Sequence, residues 1–363
     1  MGINDLRGTA IVLADDFVAG EDCKTTHALI RKSLKFKILG IIDEKNTGAD
    51  AGELLDGINK GIPVLNSVKE MLKHLDKFPD YFIVGIATNG GVITPYILKH
   101  GIEALNNGIT MICGLHNFIS ENSELIAAAK VSGAELIDIR KSRPRNELKF
   151  WQGDILKVRA PRIAVIGTDC NLGKRTTTQF LIDKCLETSI KAEMIFTGQS
   201  GWLQGGKYGF ILDTTINDFV SGEIENAIVF CDKKENPDVI FLEGQSALRN
   251  PMGPCGSELI VSGNAAAVIL QYGPGYKYFQ GLENIGWEIG SIQDEITLVE
   301  LYGSKVIAIT LNLVGIDSER EEEIKLQLKA DLNIPVVNVL KDGVNELIPL
   351  IEEIIEINTK EKS

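Results

Sequence analysis

Short apolar runs alternate with amphipathic segments along residues 1–145. The runs Thr9–Leu13 and Tyr81–Ala87 are almost wholly apolar, which predicts strands buried on both faces of a sheet. Between such runs, segments such as Thr94–Asn106 place apolar residues at helical spacing. Strands that alternate with helices predict a parallel sheet with helices on both faces, and hence a Rossmann-like domain over residues 1–145.

The same alternation returns in residues 162–363. Apolar runs at Ile163–Ile166, Val239–Leu242 and Ala265–Gln271 predict further buried strands, with helical segments between them. The sequence therefore predicts an α/β protein made of two parallel-sheet domains. Residues 146–161 join them, and their basic side chains indicate either a solvated linker or a surface that lines a cleft for an anion.

The composition narrows the class of partner. The chain has 363 residues, 44% of them hydrophobic and 24% charged, and a net charge of −13. A negative surface repels phosphate backbones and anionic bilayers, so we expect neither nucleic acid nor a membrane as a partner. No apolar run approaches the roughly 20 residues of a membrane span, and the N-terminus lacks a signal-peptide pattern. The six cysteines form no C-x-x-C pair, which favours reduced thiols in the cytoplasm.

Residues 162–177 have the pattern of a phosphate-binding loop. An apolar run ends at Gly167, and Gly173-Lys174 opens a segment with helical character. Glycines let backbone N–H groups curl toward a phosphate, and the helix N-terminus and the lysine add positive charge. We therefore predict that the phosphates of a cofactor are bound by Gly167, Thr168, Asp169, Cys170, Asn171, Leu172, Gly173, Lys174, Arg175, Thr176 and Thr177.

This loop departs from the common motif in two ways. Five residues separate Gly167 from Gly173, one more than usual, and this longer loop resembles that of dethiobiotin synthetase. Arg175 follows the lysine, where a Ser or Thr normally holds Mg²⁺. Phosphate binding is thus expected, whereas hydrolysis does not follow. If Mg²⁺ is used, Thr176 and Glu243 are its candidate ligands.

Polar side chains at strand ends are further candidates. Glu243 follows the apolar run Val239–Leu242, where a Walker-B carboxylate would sit beside a phosphate loop, although it could also be a solvent-exposed acid. His116 follows another predicted strand, at the sheet edge where open α/β sheets bind ligands. Because its charge changes near neutral pH, it is a candidate acid or base.

The first domain carries two patterns with ligand-binding character. Lys24, His27 and Arg31 are spaced so that they share one helix face, which suits a carboxylate or phosphate group or, equally, a solvated basic surface. Asp43 ends a predicted strand where a ribose-binding acid would sit. However, the first loop, Ala14–Gly20, is acidic and lacks G-x-G-x-x-G. We therefore expect a degenerate or repurposed Rossmann fold more than NAD binding.

The segment Thr197–Phe210 is unusually rich in glycine, glutamine and aromatic residues. Glycines at this density usually indicate a backbone that approaches a ligand, or a mobile loop. The sequence leaves both interpretations open.

Motifs spread along the chain resemble those of one bacterial and archaeal family. They are Lys24-Thr25-Thr26-His27, Gly114-Leu115-His116, Asp138-Ile139-Arg140-Lys141, Gly167-Thr168-Asp169-Cys170, Thr197-Gly198-Gln199, Asp218-Phe219-Val220-Ser221-Gly222 and Glu243-Gly244-Gln245. Members of this family pair an N-terminal Rossmann-like domain with a C-terminal P-loop domain, and some are described as D-glutamate N-acetyltransferases. Where relatives usually have His-Pro after the last motif, this chain has Arg249-Asn250-Pro251, which is compatible with a different acceptor.

The resemblance implies an acyl-CoA-dependent N-acyltransferase that acts on a small acidic amino acid. Acetyl-CoA would be the donor, and the P-loop would hold the diphosphate of CoA without hydrolysing it. The acceptor amine must lose a proton before it attacks the thioester, and Glu243, His116 and His27 are the candidate bases. The candidate substrate-binding residues are Lys24, Arg31, Gly198, Gln199, Asp218 and Gln245. A homo-oligomer is also expected.

Two other functions are compatible with the sequence. One is an ATP-dependent ligase or synthetase like dethiobiotin synthetase, in which Thr176 and Glu243 would hold Mg²⁺. The other is a regulatory protein that binds a nucleotide without turnover and acts on a partner protein. The sequence does not choose between ATP and an acyl donor.

Overall fold

The computed structural model describes residues 6–362. The chain divides into two compact units. The first contains residues up to Ser142 together with Gly198–Gly206, and the second contains Arg143–Thr197 and the residues from Lys207 onward. Each unit is built on one sheet in which every strand pair is parallel. The predicted α/β architecture of two parallel sheets is therefore confirmed.

The first sheet has six strands in the order β3-β2-β1-β4-β5-β6. Its strands are β1 (Gly8–Leu13), β2 (Phe36–Ile42), β3 (Val64–Leu65), β4 (Tyr81–Val84), β5 (Thr110–Cys113) and β6 (Leu136–Asp138). The helices between them are α1 (Lys24–Arg31), α2 (Ala51–Asp56), α3 (Val68–His74), α4 (Pro95–Asn106) and α5 (Ser123–Ser132). The strand order reverses between β1 and β4, and the crevice at such a reversal is where Rossmann-type folds bind ligands.

The second sheet has seven strands in the order β13-β12-β11-β7-β10-β8-β9. Its strands are β7 (Arg162–Gly167), β8 (Ala192–Phe196), β9 (Tyr208–Gly209), β10 (Val239–Glu243), β11 (Ala267–Tyr272), β12 (Val306–Leu311) and β13 (Val336–Val337). The remaining helices are α6 (Lys174–Glu187), α7 (Gln199–Gln204), α8 (Asn217–Glu235), α9 (Ser257–Val261), α10 (Ile292–Leu301), α11 (Ser318–Leu332), α12 (Val339–Asp342) and α13 (Ile348–Lys362). All six residues of β7 are buried, as expected for a central strand covered on both faces.

The glycine-rich segment forms α7, which groups with the first unit. The side-chain amide of Gln204 donates to the carbonyl oxygens of Ala28 (2.7 Å) and Lys32 (2.9 Å), and Leu34 N donates to the Gln204 carbonyl oxygen at 2.8 Å. Ala28 O also accepts from Lys32 N at 3.0 Å, so the Gln204 amide is an additional donor at the C-terminal end of α1. Residues 199–204 of the segment therefore form a packed helix.

Residues 146–161 pack along α8 within the second unit. Their backbone N–H groups donate to three buried carboxylates of α8: Lys149 to Glu223 (2.9 Å), Gln152 and Ile155 to Glu225 (2.6 and 3.0 Å), and Ala160 to Asp232 (3.2 Å). Buried carboxylates need hydrogen-bond donors, and the backbone of this segment supplies them. The segment is thus a strap that is bonded to α8 along its length.

No helix among residues 6–362 combines the length and the apolar character needed to cross a bilayer.

Candidate functional site

The predicted phosphate loop lies between the central strand β7 and helix α6. Gly173 precedes the helix with a φ of 103°, and Asn171 has a φ of 52°. A φ in this range is strained for residues with a side chain but is readily adopted by glycine. Two left-handed residues close together make the backbone curl, and the first N–H groups of α6 point out of the helix at the curl.

Lys174 is the first residue of α6, and its ammonium is held by two backbone carbonyls. Nζ lies 2.6 Å from the Asp169 carbonyl oxygen and 2.9 Å from the Ser246 carbonyl oxygen. Ser246 follows β10, so the lysine connects the loop to the neighbouring strand. The Lys174 side chain is buried. Its positive charge therefore has a fixed position inside the loop.

Asp169 is a structural anchor of the loop. Its fully buried carboxylate accepts hydrogen bonds from Cys170 N (2.7 Å), Asn250 Nδ2 (3.0 Å) and Gln280 N (2.7 Å). Because each oxygen has a donor, the charge is compensated without a metal ion. Asn250 is a residue whose role sequence reasoning missed, and the only signal was its place in Arg249-Asn250-Pro251, where relatives usually have His-Pro.

Arg175 and Glu243 form an ion pair beside the loop. Arg175 Nη1 lies 3.0 Å from Glu243 Oε2, and the two side chains are only 18% and 7% exposed. The backbone N–H of Thr197 donates to the same carboxylate oxygen at 3.2 Å. The structure thus places Glu243 next to the loop, but its carboxylate faces a guanidinium.

The two candidate threonines, Thr176 and Thr177, have different surroundings. The Thr177 hydroxyl is buried and donates to Gln271 Oε1 at 2.5 Å, and the Thr310 hydroxyl donates to the same oxygen at 2.8 Å. Thr177 therefore connects α6 to β11 and β12. Thr176 is partly exposed. Gln271, which ends up at the centre of this network, carried no sequence signal beyond its place at the end of an apolar run.

The residues at this loop do not fit a magnesium ion. A P-loop magnesium site uses the hydroxyl directly after the lysine together with a strand-end carboxylate. Here Arg175 has the first position and is paired with Glu243 in the second. Among the described residues, no group of three His, Cys, Asp or Glu side chains could hold a metal ion.

Gln245 continues the network that begins at Glu243. Its Nε2 donates to the Thr197 hydroxyl oxygen at 3.1 Å, and that hydroxyl donates to the Glu243 carbonyl oxygen at 2.7 Å. Between them, Gly244 is required, because a Cβ there would lie 2.4 Å from the Val165 carbonyl oxygen. The strand end of β10 is therefore packed directly against β7.

The other candidates lie in the first unit. His27 Nε2 is 2.5 Å from the Phe17 carbonyl oxygen. A carbonyl only accepts, so Nε2 is the donor in this contact, and Nδ1 is the ring nitrogen that can accept a proton. His116 is exposed at the sheet edge. Arg31 forms a two-pronged ion pair with Asp56, at 3.1 Å from Nε and 2.8 Å from Nη2, an acid that the helical spacing did not indicate.

Asp43 lies where a Rossmann fold can have a ribose-binding acid, but here it binds groups of the protein itself. It is fully buried and accepts hydrogen bonds from Phe17 N (2.8 Å), Lys45 N (3.0 Å) and Asn46 Nδ2 (3.0 Å). The Phe17 side chain is also fully buried. The carboxylate of Asp43 is thus held by two backbone N–H groups and one side-chain amide of the protein itself.

The remaining substrate-binding candidates are dispersed. Gln199 is buried, and it approaches Gly114 so closely that a Cβ on that glycine would overlap its Oε1. Gly198 is the N-cap of α7. Asp218 is exposed in the first turn of α8.

The structure therefore sorts the candidates into two groups. The loop residues, Glu243, Gln245 and Asp218 lie in the second unit, and Lys24, His27, Arg31, His116, Gly198 and Gln199 lie in the first.

Two family models match the chain. The model for a domain of unknown function, DUF1611, which is described as a P-loop domain, matches residues 149–348. A second model, described as the Rossmann-like N-terminal domain of DUF1611, matches residues 44–142. These matches confirm the resemblance that the sequence motifs predict.

Individual relatives match over most of the chain. A D-glutamate N-acetyltransferase of Pseudoalteromonas sp is 28% identical over 272 residues, which cover 74% of this chain and 80% of that protein. One of Tritonibacter scottomollicae is 26% identical over 273 residues, which cover 73% of this chain and 79% of that protein. The crystal structure of a DUF1611 family protein from Anabaena variabilis aligns with a TM-score of 0.85 at 25% identity, over 96% of this chain and 100% of that one.

Proposed function

The chain belongs to the DUF1611 family, and from this membership we propose that it is an acyl-CoA-dependent N-acyltransferase acting on a small acidic amino acid. The observation that carries the proposal is the chemistry of the loop. Its two cations, Lys174 and Arg175, suit a diphosphate, and its metal position is filled by an ion pair. CoA offers a diphosphate that only needs to be held. The relatives named as D-glutamate N-acetyltransferases supply the acceptor class.

The proposed reaction transfers an acetyl group from sulfur to nitrogen. The ammonium of the amino acid loses a proton, the free amine attacks the thioester carbonyl carbon, and a C–N bond forms as the C–S bond breaks. The CoA thiolate leaves and takes up a proton, so the products are the N-acetyl amino acid, CoA and one proton. The step needs a base for the amine and no redox partner or nucleotide hydrolysis.

We propose His27 as the base in preference to His116 and Glu243. Its ring is partly buried, and the contact with Phe17 assigns Nδ1 as the acceptor nitrogen. By contrast, Oε2 of Glu243 is already engaged by Arg175 and Thr197 N. Lys24 precedes His27 by one turn on α1, so we propose that its ammonium binds a carboxylate of the acceptor.

The experiment that tests this function offers the purified protein acetyl-CoA with a panel of D- and L-amino acids, acidic and neutral. Thiol release and the mass of the N-acetyl product are measured together. We expect product with an acidic amino acid and no requirement for ATP. A parallel reaction contains ATP and Mg²⁺ in place of acetyl-CoA.

Two outcomes would replace the proposal. Formation of ADP and phosphate in step with a ligated product, and only with Mg²⁺, would indicate the ATP-dependent ligase. Tight nucleotide binding without product in either reaction would indicate the regulatory protein.

A further inference from the structure

Residue 175 occupies a position that has a specific role in the common phosphate-binding loop. The residue directly after the P-loop lysine normally supplies a hydroxyl to Mg²⁺, and a carboxylate at the end of a nearby strand completes the metal site. In this chain these two positions are Arg175 and Glu243, and their side chains contact each other at 3.0 Å. The guanidinium of Arg175 therefore contacts the carboxylate that would bind Mg²⁺ in the common P-loop motif.

The pair is protected from solvent. Its side chains are 18% and 7% exposed, so water screens the attraction between them less than on an open surface. Thr197, directly after the neighbouring strand β8, donates its backbone N–H to the same carboxylate oxygen at 3.2 Å. A Mg²⁺ ion at this place would have to displace the guanidinium from a carboxylate that is held in position, and it would lie close to two further positive charges.

The guanidinium can do what the metal does for binding. It carries five N–H donors in a planar fork, so it can contact Glu243 on one edge and a phosphate oxygen on another. Lys174 Nζ is anchored on the adjacent residue by the carbonyls of Asp169 and Ser246. Two neighbouring cations of fixed position match the two charged phosphates of a diphosphate. In this arrangement Glu243 is a positioning residue that orients Arg175.

We propose that the Arg175–Glu243 pair replaces Mg²⁺ at this loop, so that the site selects diphosphates that carry no metal, such as that of CoA, over Mg²⁺-bound nucleotides. This inference deepens the proposed function and rests on it only for the choice of CoA as the natural ligand. It assigns a specificity role to Arg175 and an orienting role to Glu243, and it assigns no metal to the loop.

The test is calorimetric titration of the full chain with CoA and with ADP, each in EDTA and in Mg²⁺. For the native chain we expect the same affinity for CoA in both buffers, and weaker binding of ADP in Mg²⁺ than in EDTA. An affinity for either ligand that falls by more than about tenfold when EDTA removes Mg²⁺, equivalent to about 1.4 kcal/mol, would overturn the inference.

The variant Arg175→Thr restores the hydroxyl of the common motif and releases Glu243. We expect its affinity for CoA to fall by about tenfold or more, about 1.4 kcal/mol, and its binding of ADP to become stronger in Mg²⁺ than in EDTA. The matched control is Lys325→Thr, which also removes one cation from carboxylates, at 2.9 Å from Glu322 and 3.2 Å from Asp342. Lys325 lies on α11, which packs against the edge strand β13, so CoA binding should not change. Native affinity for CoA in Arg175→Thr would overturn the inference.

A second variant covers the case in which Arg175→Thr does not fold, as judged from its circular dichroism. Glu243→Gln keeps the side-chain shape and loosens the guanidinium. We expect it to raise the KM for acetyl-CoA with little change in kcat, because Glu243 orients a binding group. A fall in kcat at unchanged KM would mean that Glu243 acts on the reacting atoms, and would overturn the orienting role.

Failure of this inference and failure of the proposed function are separable. The titrations need no turnover, so metal-independent binding in a protein that acetylates nothing would remove only the acyltransferase. Mg²⁺-dependent binding in a protein that does acetylate amino acids would remove only the inference.

Discussion

The turn after β1 in the first unit and the turn after β7 in the second start from the same fold position. Each follows a buried strand in the middle of a parallel sheet, and each leads into a helix that begins with a lysine, Lys24 in one and Lys174 in the other. In the first turn, the buried Phe17 fills the loop and its backbone N–H is bonded to Asp43. In the second, left-handed Gly173 opens the loop around an ammonium.

The acids beside these turns show the difference most clearly. Asp43 follows β2 and Glu243 ends β10, and each of these strands is a direct neighbour of the strand that carries the turn. Asp43 binds backbone N–H groups and thereby closes its loop. Glu243 binds the guanidinium of Arg175 and thereby holds a cation in its loop. The parallel sheet supplies the same position in both units, but the partner of the acid differs: a backbone N–H group in the first unit and a guanidinium in the second.

Replacement of Asp43, which closes the turn after β1, should produce the largest effect, on the free energy of unfolding. Asp43→Ala leaves Phe17 N and Lys45 N without their acceptor, and an unsatisfied buried N–H costs about 1–3 kcal/mol. We expect the free energy of unfolding to fall by about that amount in urea titrations followed by circular dichroism. Asp80→Ala is the control, because Asp80 also binds a backbone N–H, that of Thr9 at 2.7 Å, but is exposed. Equal losses for both variants would contradict a closing role for Asp43.

Replacement of Lys174 should have the next largest effect, measured on ligand binding. Lys174→Ala removes the buried ammonium, and we expect the affinity for CoA or ADP to fall at least tenfold, about 1.4 kcal/mol. The circular dichroism spectrum should stay that of the folded chain, with a lower melting temperature because the Asp169 and Ser246 carbonyls lose their donor. Lys24→Ala changes the corresponding first residue of α1 and should leave the affinity for either diphosphate as it is. Calorimetric titration of both variants measures the contrast. If Lys24→Ala weakened diphosphate binding as much, the two turns would not differ in the way the structure indicates.

The sequence predicts the parts of these turns that depend on local pattern. The apolar runs predict β1 and β7 because strands covered on both faces are apolar throughout, and Gly173-Lys174 predicts the loop because the curl needs glycine. The sequence also predicts Glu243 beside the loop, as a Walker-B carboxylate, but it does not identify Arg175 as the partner of that carboxylate. Arg175 and Glu243 are 68 positions apart, and Asp169 and Asn250 are 81 apart. No local rule pairs such residues, because their contact depends on which strands become neighbours.

The packing of α7 against α1 also could not be predicted from the local sequence pattern. Its many glycines predict flexibility or a ligand, yet its helix is held by Gln204 at the end of α1. The two-residue strand β9 is too short to give any hydrophobic periodicity. By contrast, the start of α3 rests on a local interaction of the kind that sequence can indicate, since the Ser67 hydroxyl accepts from Glu70 N at 3.3 Å.

The buried histidine His100, near the turn after β1, should make the stability of the protein depend on pH. His100 is fully buried on α4, next to Tyr96, whose hydroxyl donates to the Ala14 carbonyl oxygen of the turn. Burial lowers the pKa of His100, assisted by Lys99, although Glu103 and Glu44 oppose the shift from 3.7 Å. The neutral ring is therefore favoured in the folded state.

A depressed pKa in the folded state stabilises the protein above the pKa of the unfolded chain, about 6.5, and this stability is lost as the pH falls. We expect the melting temperature to drop as the pH is lowered below about 6.5, and to drop less in His100→Leu. His74→Leu, which changes an exposed histidine, should behave like the native chain. If His100→Leu and the native chain lost stability equally, the buried ring would not be the titrating group.

The smallest effect is expected at Arg31, on the outer side of α1. Its guanidinium is half exposed and binds Asp56 through two nitrogens, and this ion pair lowers the pKa of Asp56. Exposed ion pairs contribute at most about 1 kcal/mol, so Arg31→Ala should lower the free energy of unfolding by no more than this.

Lys24 lies two turns earlier on α1. If α1 binds the acceptor carboxylate through Lys24, Lys24→Ala should raise the KM for an acidic amino acid more than for a neutral one. Arg31→Ala should change both KM values little, because its charge is already committed to Asp56. Steady-state kinetics with an acidic and a neutral acceptor compares the two variants. A selective rise in KM for the acidic acceptor in Arg31→Ala would mean that the arginine exchanges Asp56 for substrate, and the first unit would then use its cations as the second unit uses Arg175.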